Sequence, residues 1–178
     1  MLSVSSSTSG PVRIRDRETG AYTREFFDEI VPRELERARR HHLTLSVLSV
    51  LLVNWGDVLA KGGSEAGAVA MSEAANVLHV SVRETDFVFR WQEDEFVILL
   101  IEADLAACAH KVEQFGASFR PWRDGKGPVS VPVRFRVGAS TLEEGMEFAG
   151  VLHAARGAAR ECSGEKPAFS PPANAPEA

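Results

Sequence analysis

The chain has 178 residues, of which 44% are hydrophobic and 25% are charged, and its formal net charge is −5. This length suits one domain with short tails, and the composition is that of a globular protein. A negatively charged chain is not drawn as a whole to nucleic acids or acidic membranes. We therefore expect no nucleic acid and no membrane among its partners.

Both ends of the chain are expected to lie outside the domain, which then covers residues 14–166. Residues 1–13 are Ser-rich, without the basic start and apolar run of a secretory signal, and we predict a flexible lead-in. Residues 167–178 are rich in Pro and Ala, which predicts a disordered tail. No apolar run is long enough for a membrane span, and Cys108 and Cys162 show no metal-ligand spacing. We expect a cytoplasmic protein with reduced cysteines.

The first half of the domain is predicted to form a helix, a strand and a second helix. Apolar residues recur at helical spacing over residues 21–42, where Pro32 is expected to kink or restart the helix. Residues 43–53 are rich in Leu and Val and indicate a buried strand. The Ala-rich residues 64–82 indicate a helix, whose expected core contacts are Val69, Leu78 and Val82.

The second half begins with a predicted hairpin. Residues 87–91 and 96–100 are strand-like, and four polar residues separate them. Asp104 can cap a helix that runs to about residue 118. Residues 129–137 alternate apolar and polar side chains, which indicates a half-buried strand, and residues 146–163 indicate a last helix. These elements together predict one layered α/β domain.

Short motifs in this order resemble the GGDEF domain family, the diguanylate cyclases, over about residues 16–164. Residues 16–24, DRETGAYTR, are similar to the family's opening D-x-L-T-G-L-Y-N-R, and residues 90–96, RWQEDEF, are similar to its signature R-Y-G-G-D-E-F. Residues 45–50 and 136–138 resemble two of the family's strands. The resemblance implies a central, mainly antiparallel five-stranded sheet flanked by helices, as in the palm of nucleotide cyclases.

The resemblance also implies where catalysis would take place. In the family, a D-x-D pair ends the first strand, and its first Asp joins an acid of the GGDEF turn to hold two divalent cations. Aligned without gaps, this pair falls on Leu51 and Val53, which cannot bind a hard cation. Asp94 and Glu95 remain in the turn, and we interpret both as solvated hairpin acids.

The positions that contact the substrate differ from the family as well. The family's phosphate Lys, its guanine-reading Asn and Asp, and its last-helix Lys align respectively with Gly56, Leu59, Ala68 and Ser163. Gln92 and Glu93 replace two turn glycines, and their side chains would hinder the approach of a nucleotide to the backbone. We therefore expect no catalytic residue, no metal ligand, no cofactor and no enzyme activity. A residual enzyme that uses an unusual site is the least favoured alternative.

One ligand site of the family is retained in the sequence. Many diguanylate cyclases carry an inhibitory R-x-x-D site just before the signature that binds cyclic di-GMP, and Arg83 and Asp86 occupy its place. Arg can fork onto the O6 and N7 edge of guanine, and Asp can accept from guanine N1–H and the amine. The family's second Arg aligns with Gln114, so that contact is missing. The alternative is a surface ion pair of little energetic worth.

Two functional hypotheses follow from these residues. The first is a non-catalytic GGDEF-like signalling protein that senses cyclic di-GMP at Arg83 and Asp86 and relays the signal to a protein partner. The second is a pure protein–protein interaction adaptor, in motility, polarity or two-component signalling, that binds no nucleotide. Arg83 and Asp86 favour the first hypothesis, whereas Gln114, Leu51 and the acidic turn fit the second hypothesis at least as well as the first.

Overall fold

The computed structural model describes residues 12–161 and 168–169. Within these residues, the elements in chain order are α1 (Arg24–His41), β1 (Leu45–Leu52), α2 (Trp55–Ser81), β2 (Phe87–Gln92), β3 (Glu95–Ile101), α3 (Leu105–Arg123), β4 (Phe135–Leu142), α4 (Phe148–Glu161) and β5 (Ala168–Phe169). None of the helices in this part of the chain is long and apolar enough to cross a membrane.

The strands form one sheet in the order β2-β3-β1-β4-β5. Neighbouring strands are antiparallel except β4 and β5, which run parallel. The expected fold, a mainly antiparallel five-stranded sheet flanked by helices, is confirmed, although β5 has only two residues. That short strand lies within the segment predicted as the tail, and its backbone pairs with the free edge of β4. Residues 1–11, 162–167 and 170–178 lie outside the described part.

The sheet separates two cores, because successive side chains of a strand point to opposite faces. In β1, Leu48 and Val50 pack with α2 and α3, whereas Leu45 and Val47 pack with α1 and α4. β3 is buried along its whole length and divides in the same way. A strand covered on both faces needs apolar side chains on both, which explains the nearly continuous apolar run of residues 43–53.

α1 begins at Arg24 because the Thr23 side chain caps it, accepting a hydrogen bond from Phe26 N at 3.2 Å. Pro32 was expected to kink or restart this helix; it lies inside the helix, which continues to His41, so a restart is not observed. Pro32 is exposed. Water can therefore satisfy the backbone carbonyl that loses its partner when proline replaces an N–H donor.

α2 begins at Trp55, earlier than the predicted start at residue 64, and bends at Gly63. Gly63 has φ 73° and ψ −178°, a conformation that glycine adopts without a steric penalty. Because of the bend, the first turns of the helix pack against the part that follows Gly63. A Cβ built on Gly67 would lie 2.6 Å from the Trp55 ring. Leu78 is buried as predicted, whereas Val69 is 38% exposed and does not belong to the core. The buried stripe of this helix runs instead along its small alanines.

An extended loop precedes β4, in place of the strand predicted from residue 129. β4 begins only at Phe135. Val131 and Val133 are nevertheless buried, which accounts for the alternating pattern. Pro132 has no N–H for a sheet, and its carbonyl accepts a hydrogen bond from Asn54 Nδ2 at 2.8 Å. Alternation in this segment therefore reflects burial and not strand pairing.

α4 lies very close to β4 at Gly138. A Cβ built on Gly138 would lie 2.2 Å from Ala155 O and 2.3 Å from Ala159 N, both in the α4 backbone. A helix backbone cannot move aside as the tip of a flexible side chain can, so only glycine fits at this position. Gly138 thereby determines how near the α4 side chains lie to the sheet.

Gly138→Ala is expected to lower the free energy of unfolding by about 1–3 kcal/mol, because the added methyl group must displace α4. Gly116→Ala is the control, since Gly116 is exposed in α3 and a built Cβ has nothing within 4 Å. Alanine there should raise the free energy of unfolding by roughly 0.5–1 kcal/mol. Urea denaturation measures both changes. A Gly138→Ala variant as stable as the wild type would contradict the close approach of α4.

Candidate functional site

The first candidate site lies where β1 ends beside the β2–β3 turn. Leu51 of β1 pairs with Glu95 of β3 on one side and with Arg136 of β4 on the other. Directly opposed residues of antiparallel strands point to the same face, so these three side chains form one cross-strand row. The row lies on the face that α1 and α4 cover. Leu51 aligns with the expected metal-binding Asp. It therefore lies between the acidic side chain of Glu95 and the basic side chain of Arg136.

Glu95 is completely buried, at 0% exposure, which corrects its interpretation as a solvated hairpin acid. Its Oε1 accepts hydrogen bonds from Ser49 Oγ and from Arg156 Nε, both at 2.8 Å. Its Oε2 accepts from Arg156 Nη2 at 2.8 Å and from Arg160 Nη2 at 2.9 Å. Four donors and two positive charges thus satisfy the carboxylate, and this is why it can be buried.

α4 supplies both guanidinium groups, because residues four apart lie on one face of a helix. We call Arg156 and Arg160 the arginine pair. Trp91 of β2 supports it, since the Arg156 guanidinium lies 5.3 Å from the ring centre. Sequence reasoning missed both arginines. Their spacing of four was visible, but no pattern connects that helix face with Glu95, which is 61 residues from Arg156.

The residues at this site do not fit a divalent cation. Mg²⁺ takes oxygen ligands, usually from one or two carboxylates. Leu51 offers no oxygen, and both oxygens of Glu95 are bound to the arginine pair. The other acids of the turn are Glu93, which is exposed, and Asp94, which is half-buried. Within residues 12–161 and 168–169, no three His, Cys, Asp or Glu side chains form a group that could hold a metal ion.

The other aligned positions lie around the same end of the sheet. Gln92 and Glu93 are exposed in the turn, and Gly56 and Leu59 are exposed on α2. Ala68 is half-buried, and Ser163 lies outside the described residues.

Arg90 carries the positive charge on the opposite face of the turn. Its Nη2 donates to Glu93 O at 2.6 Å and lies 3.7 Å from Glu18 Oε2. Its guanidinium lies over the ring of Phe96, a member of the core formed with α2 and α3. Burial lowers the pKa of Arg90, and nearby carboxylates act in the opposite direction, namely Glu18, Asp16, Asp94 and Glu93. Arg90 thus belongs to the face of α2 and α3, whereas Glu95 points to α4.

The second candidate site is the short connection between α2 and β2. Asp86 is only 9% exposed, and its Oδ2 accepts a hydrogen bond from Arg83 N at 2.9 Å. Its Oδ1 accepts from Ile101 N at 3.0 Å. Arg83 is exposed, and its side chain has no hydrogen bond or ion pair among the described residues. The structure brings the two residues together through the backbone of Arg83, so the surface ion pair considered as the alternative is not observed.

Lys111 from α3 reaches the same connection. Its Nζ donates to Ser81 O at the end of α2 and to Gln114 Oε1 at 3.1 Å. Gln114 is the residue aligned with the family's second ligand-binding Arg. A cation therefore lies near Arg83 although that Arg is missing, and sequence reasoning did not find it.

Cys108 takes part in neither site. It is buried in the core between the sheet and α3, and burial raises the pKa of its thiol to about 11. A thiol with this pKa stays protonated at neutral pH and is a poor nucleophile. Cys108 is free, as expected, whereas Cys162 lies outside the described residues.

Comparison with known families identifies the domain. The family model described as "Diguanylate cyclase, GGDEF domain" matches residues 13–165. The chain belongs to the GGDEF family. The resemblance carried by the motifs at residues 16–24 and 90–96 is thereby confirmed.

Curated relatives of this GGDEF domain are bacterial. Diguanylate cyclase DosC of Escherichia coli K12 is 32% identical over 85 residues, which make up 48% of this chain and 18% of DosC. Diguanylate cyclase DgcS of Shewanella oneidensis is 28% identical over 85 residues, which make up 48% of this chain and 29% of DgcS. The matched part is less than a third of either relative.

Solved structures show the same fold. Diguanylate cyclase SiaD of Pseudomonas aeruginosa, in complex with its activator SiaC, has a TM-score of 0.79 and 25% identity, covering 89% of this chain and 62% of SiaD. The GGDEF domain of DgcB from Caulobacter crescentus, in complex with cyclic di-GMP, has a TM-score of 0.78 and 15% identity, covering 88% of this chain and 95% of that domain. At 15% identity, the likeness to DgcB concerns the fold alone.

These relatives contradict the expectation that the chain is not an enzyme. Both curated relatives are named diguanylate cyclases, and the family carries the same description, so membership points to a cyclase. The expectation rested on apolar residues at Leu51 and at the aligned substrate positions. Those differences describe the composition of one site, and a loss of activity does not follow from them alone.

Replacing both members of the arginine pair by Met is expected to lower the free energy of unfolding by about 3–5 kcal/mol, because Glu95 would stay buried without a counter-charge. Arg156→Met alone should cost more than Arg160→Met alone, since Arg156 binds both carboxylate oxygens. Arg37→Met is the control, because Arg37 forms an exposed pair with Glu34 and should contribute less than about 1 kcal/mol. Guanidinium denaturation measures all four variants, and a double variant as stable as the control would refute the stabilisation of Glu95 by the arginine pair.

Proposed function

We propose that this GGDEF domain acts in cyclic di-GMP signalling by binding the dinucleotide at Arg83 and Asp86 and passing the signal to a protein partner. The observation that carries the proposal is that Arg83 is exposed while its backbone N donates to Asp86 Oδ2 at 2.9 Å, so that both residues belong to one short turn. Similar solved structures include a GGDEF domain in complex with cyclic di-GMP and a cyclase in complex with its activator.

The two side chains suit guanine for separate reasons. The Arg83 guanidinium presents parallel N–H groups that match the O6 and N7 edge of the base. Each oxygen of Asp86 accepts one backbone hydrogen bond and keeps a further lone pair, so it can also accept from guanine N1–H and the amine. Lys111 adds a positive charge near a phosphodiester bound at this connection.

Isothermal titration calorimetry with cyclic di-GMP is expected to give saturable binding that Arg83→Ala weakens roughly ten- to hundredfold, because one bidentate base contact is lost. Arg83→Lys keeps the charge and should lose nearly as much, since an ammonium group cannot form the fork. Arg40→Ala is the matched control. It removes one exposed charge from α1, on the other face of the sheet, and should bind like the wild type.

Further variants test the rest of the site. Gln114→Arg should tighten binding, because it restores a second guanidinium beside the connection. Asp86→Asn should weaken binding, and its melting temperature must be recorded, since the same side chain accepts two backbone hydrogen bonds. Cyclic di-AMP should compete poorly. No heat at millimolar cyclic di-GMP, for the wild type and for Gln114→Arg alike, would sink the proposed site.

A second function, an interaction adaptor without nucleotide binding, is favoured by the same hydrogen bonds of Asp86. Both carboxylate oxygens accept backbone N–H groups, so the connection has a structural need for this acid without any ligand. In that case, Asp86→Ala would lower the melting temperature and Arg83→Ala would leave it unchanged, while neither protein titrated with cyclic di-GMP. This combination of results would favour the adaptor.

A further inference from the structure

Charge is divided unequally between the two faces of the hairpin turn. Glu93 and Asp94 act on Arg90, which lies on the face of α2 and α3. On the α4 face, the arginine pair surrounds the single carboxylate of Glu95. Arg136, two strands away in the cross-strand row, donates from Nη1 to Arg160 O at 3.2 Å. Arg136, Arg156 and Arg160 are therefore linked at this corner, and Glu95 is the one carboxylate hydrogen-bonded to the arginine pair among the described residues.

The same corner is rich in hydrogen-bond donors and poor in acceptors. Both oxygens of Glu95 already accept two bonds each. Trp91 is 8% exposed, and its Nε1 has no acceptor among the described residues. Arg24 lies over the same ring, with its guanidinium 4.4 Å from the ring centre. The Arg160 side chain is 44% exposed and offers further N–H groups to solvent. A ligand of this corner has to bring negative charge and oxygen acceptors.

We infer that the α4 face of the hairpin binds a phosphoryl oxyanion directly on Arg136, Arg156 and Arg160, without a divalent cation. Next to Glu95, the arginine pair already supplies the positive charge that a metal ion would supply, and the carboxylate has no oxygen left for one. Guanidinium groups bind phosphoryl oxygens through paired, charge-assisted hydrogen bonds. The ligand class is a phosphate or diphosphate, either free or carried by a nucleotide. This site is distinct from Arg83 and Asp86.

Inorganic pyrophosphate, titrated calorimetrically into the full chain in the presence of EDTA, is the test. We expect saturable binding that Arg160→Met weakens at least tenfold, because one charge-assisted contact is lost. Arg160 is the residue of choice since it is half-exposed and Arg156 still neutralises Glu95 in its absence. Arg120→Met is the matched control, which removes an exposed charge from α3 on the opposite face of the sheet. It should bind pyrophosphate like the wild type.

Metal dependence is the second part of the test. Free Mn²⁺, followed by electron paramagnetic resonance, should show no stoichiometric binding, and added Mg²⁺ should not tighten the binding of pyrophosphate. No binding in EDTA, stoichiometric Mn²⁺ binding that Asp94→Asn abolishes, or equal affinities of Arg160→Met and Arg120→Met would each overturn the inference.

The source of the phosphoryl group is read from two more ligands. If GTP binds more tightly than pyrophosphate in EDTA, the ligand is a nucleotide. If GTP and pyrophosphate bind with equal affinity, the ligand is a free oxyanion. Both results support the inference. Guanosine that binds as tightly as GTP would overturn it, because the phosphates would then contribute nothing. Arg160→Met should leave the titration with cyclic di-GMP unchanged, so a failure here is distinguishable from a failure of the proposed function.

Discussion

A carboxylate that has no contact with water must be neutralised within the protein, and the carboxylate of Glu95 meets this requirement through Ser49, Arg156 and Arg160. The three donors come from β1 and α4, whereas Glu95 opens β3. One ion cluster therefore ties a strand, a hairpin and a helix together at one point. Gly138 allows the arginine pair to reach Glu95, because its missing Cβ lets the α4 backbone approach β4. The geometry of the whole α4 face depends on these two constraints.

The cluster also decides which ligands this end of the sheet can hold. A metal ion at Glu95 would have to displace a bidentate guanidinium that is tethered to the chain and whose own charge is permanent. The proposed oxyanion would compete with longer hydrogen bonds only, because Arg156 Nη2 donates to Gln92 Oε1 at 3.4 Å and Arg160 Nη1 donates to Arg156 O at 3.5 Å.

Local sequence patterns predicted the helices and strands of this fold well. They could not predict contacts between side chains that are far apart in the sequence. The hairpin at residues 87–101 and the cap at Asp104 follow from neighbouring residues, and both are present. β4 begins later than expected because the alternation of apolar and polar residues indicates burial and not strand pairing. The loop around Val131 is also partly buried and shows the same alternation. Glu95 was misread because its partners are 46, 61 and 65 residues away. Arg83 and Asp86 were recognisable because they are three residues apart and share one turn.

The two candidate sites lie at opposite ends of one strand. β2 has six residues, so Asp86, just before it, and the turn after it are roughly 20 Å apart at about 3.3 Å per residue. Both ends are anchored to β3, by the bond between Ile101 N and Asp86 and by the start of β3 at Glu95. β2 is paired with β3 between these two ends, and coupling between sites requires an element with two states. A ligand at Arg83 should therefore leave the affinity of the arginine pair unchanged, and communication with a partner has to travel through surfaces near each site.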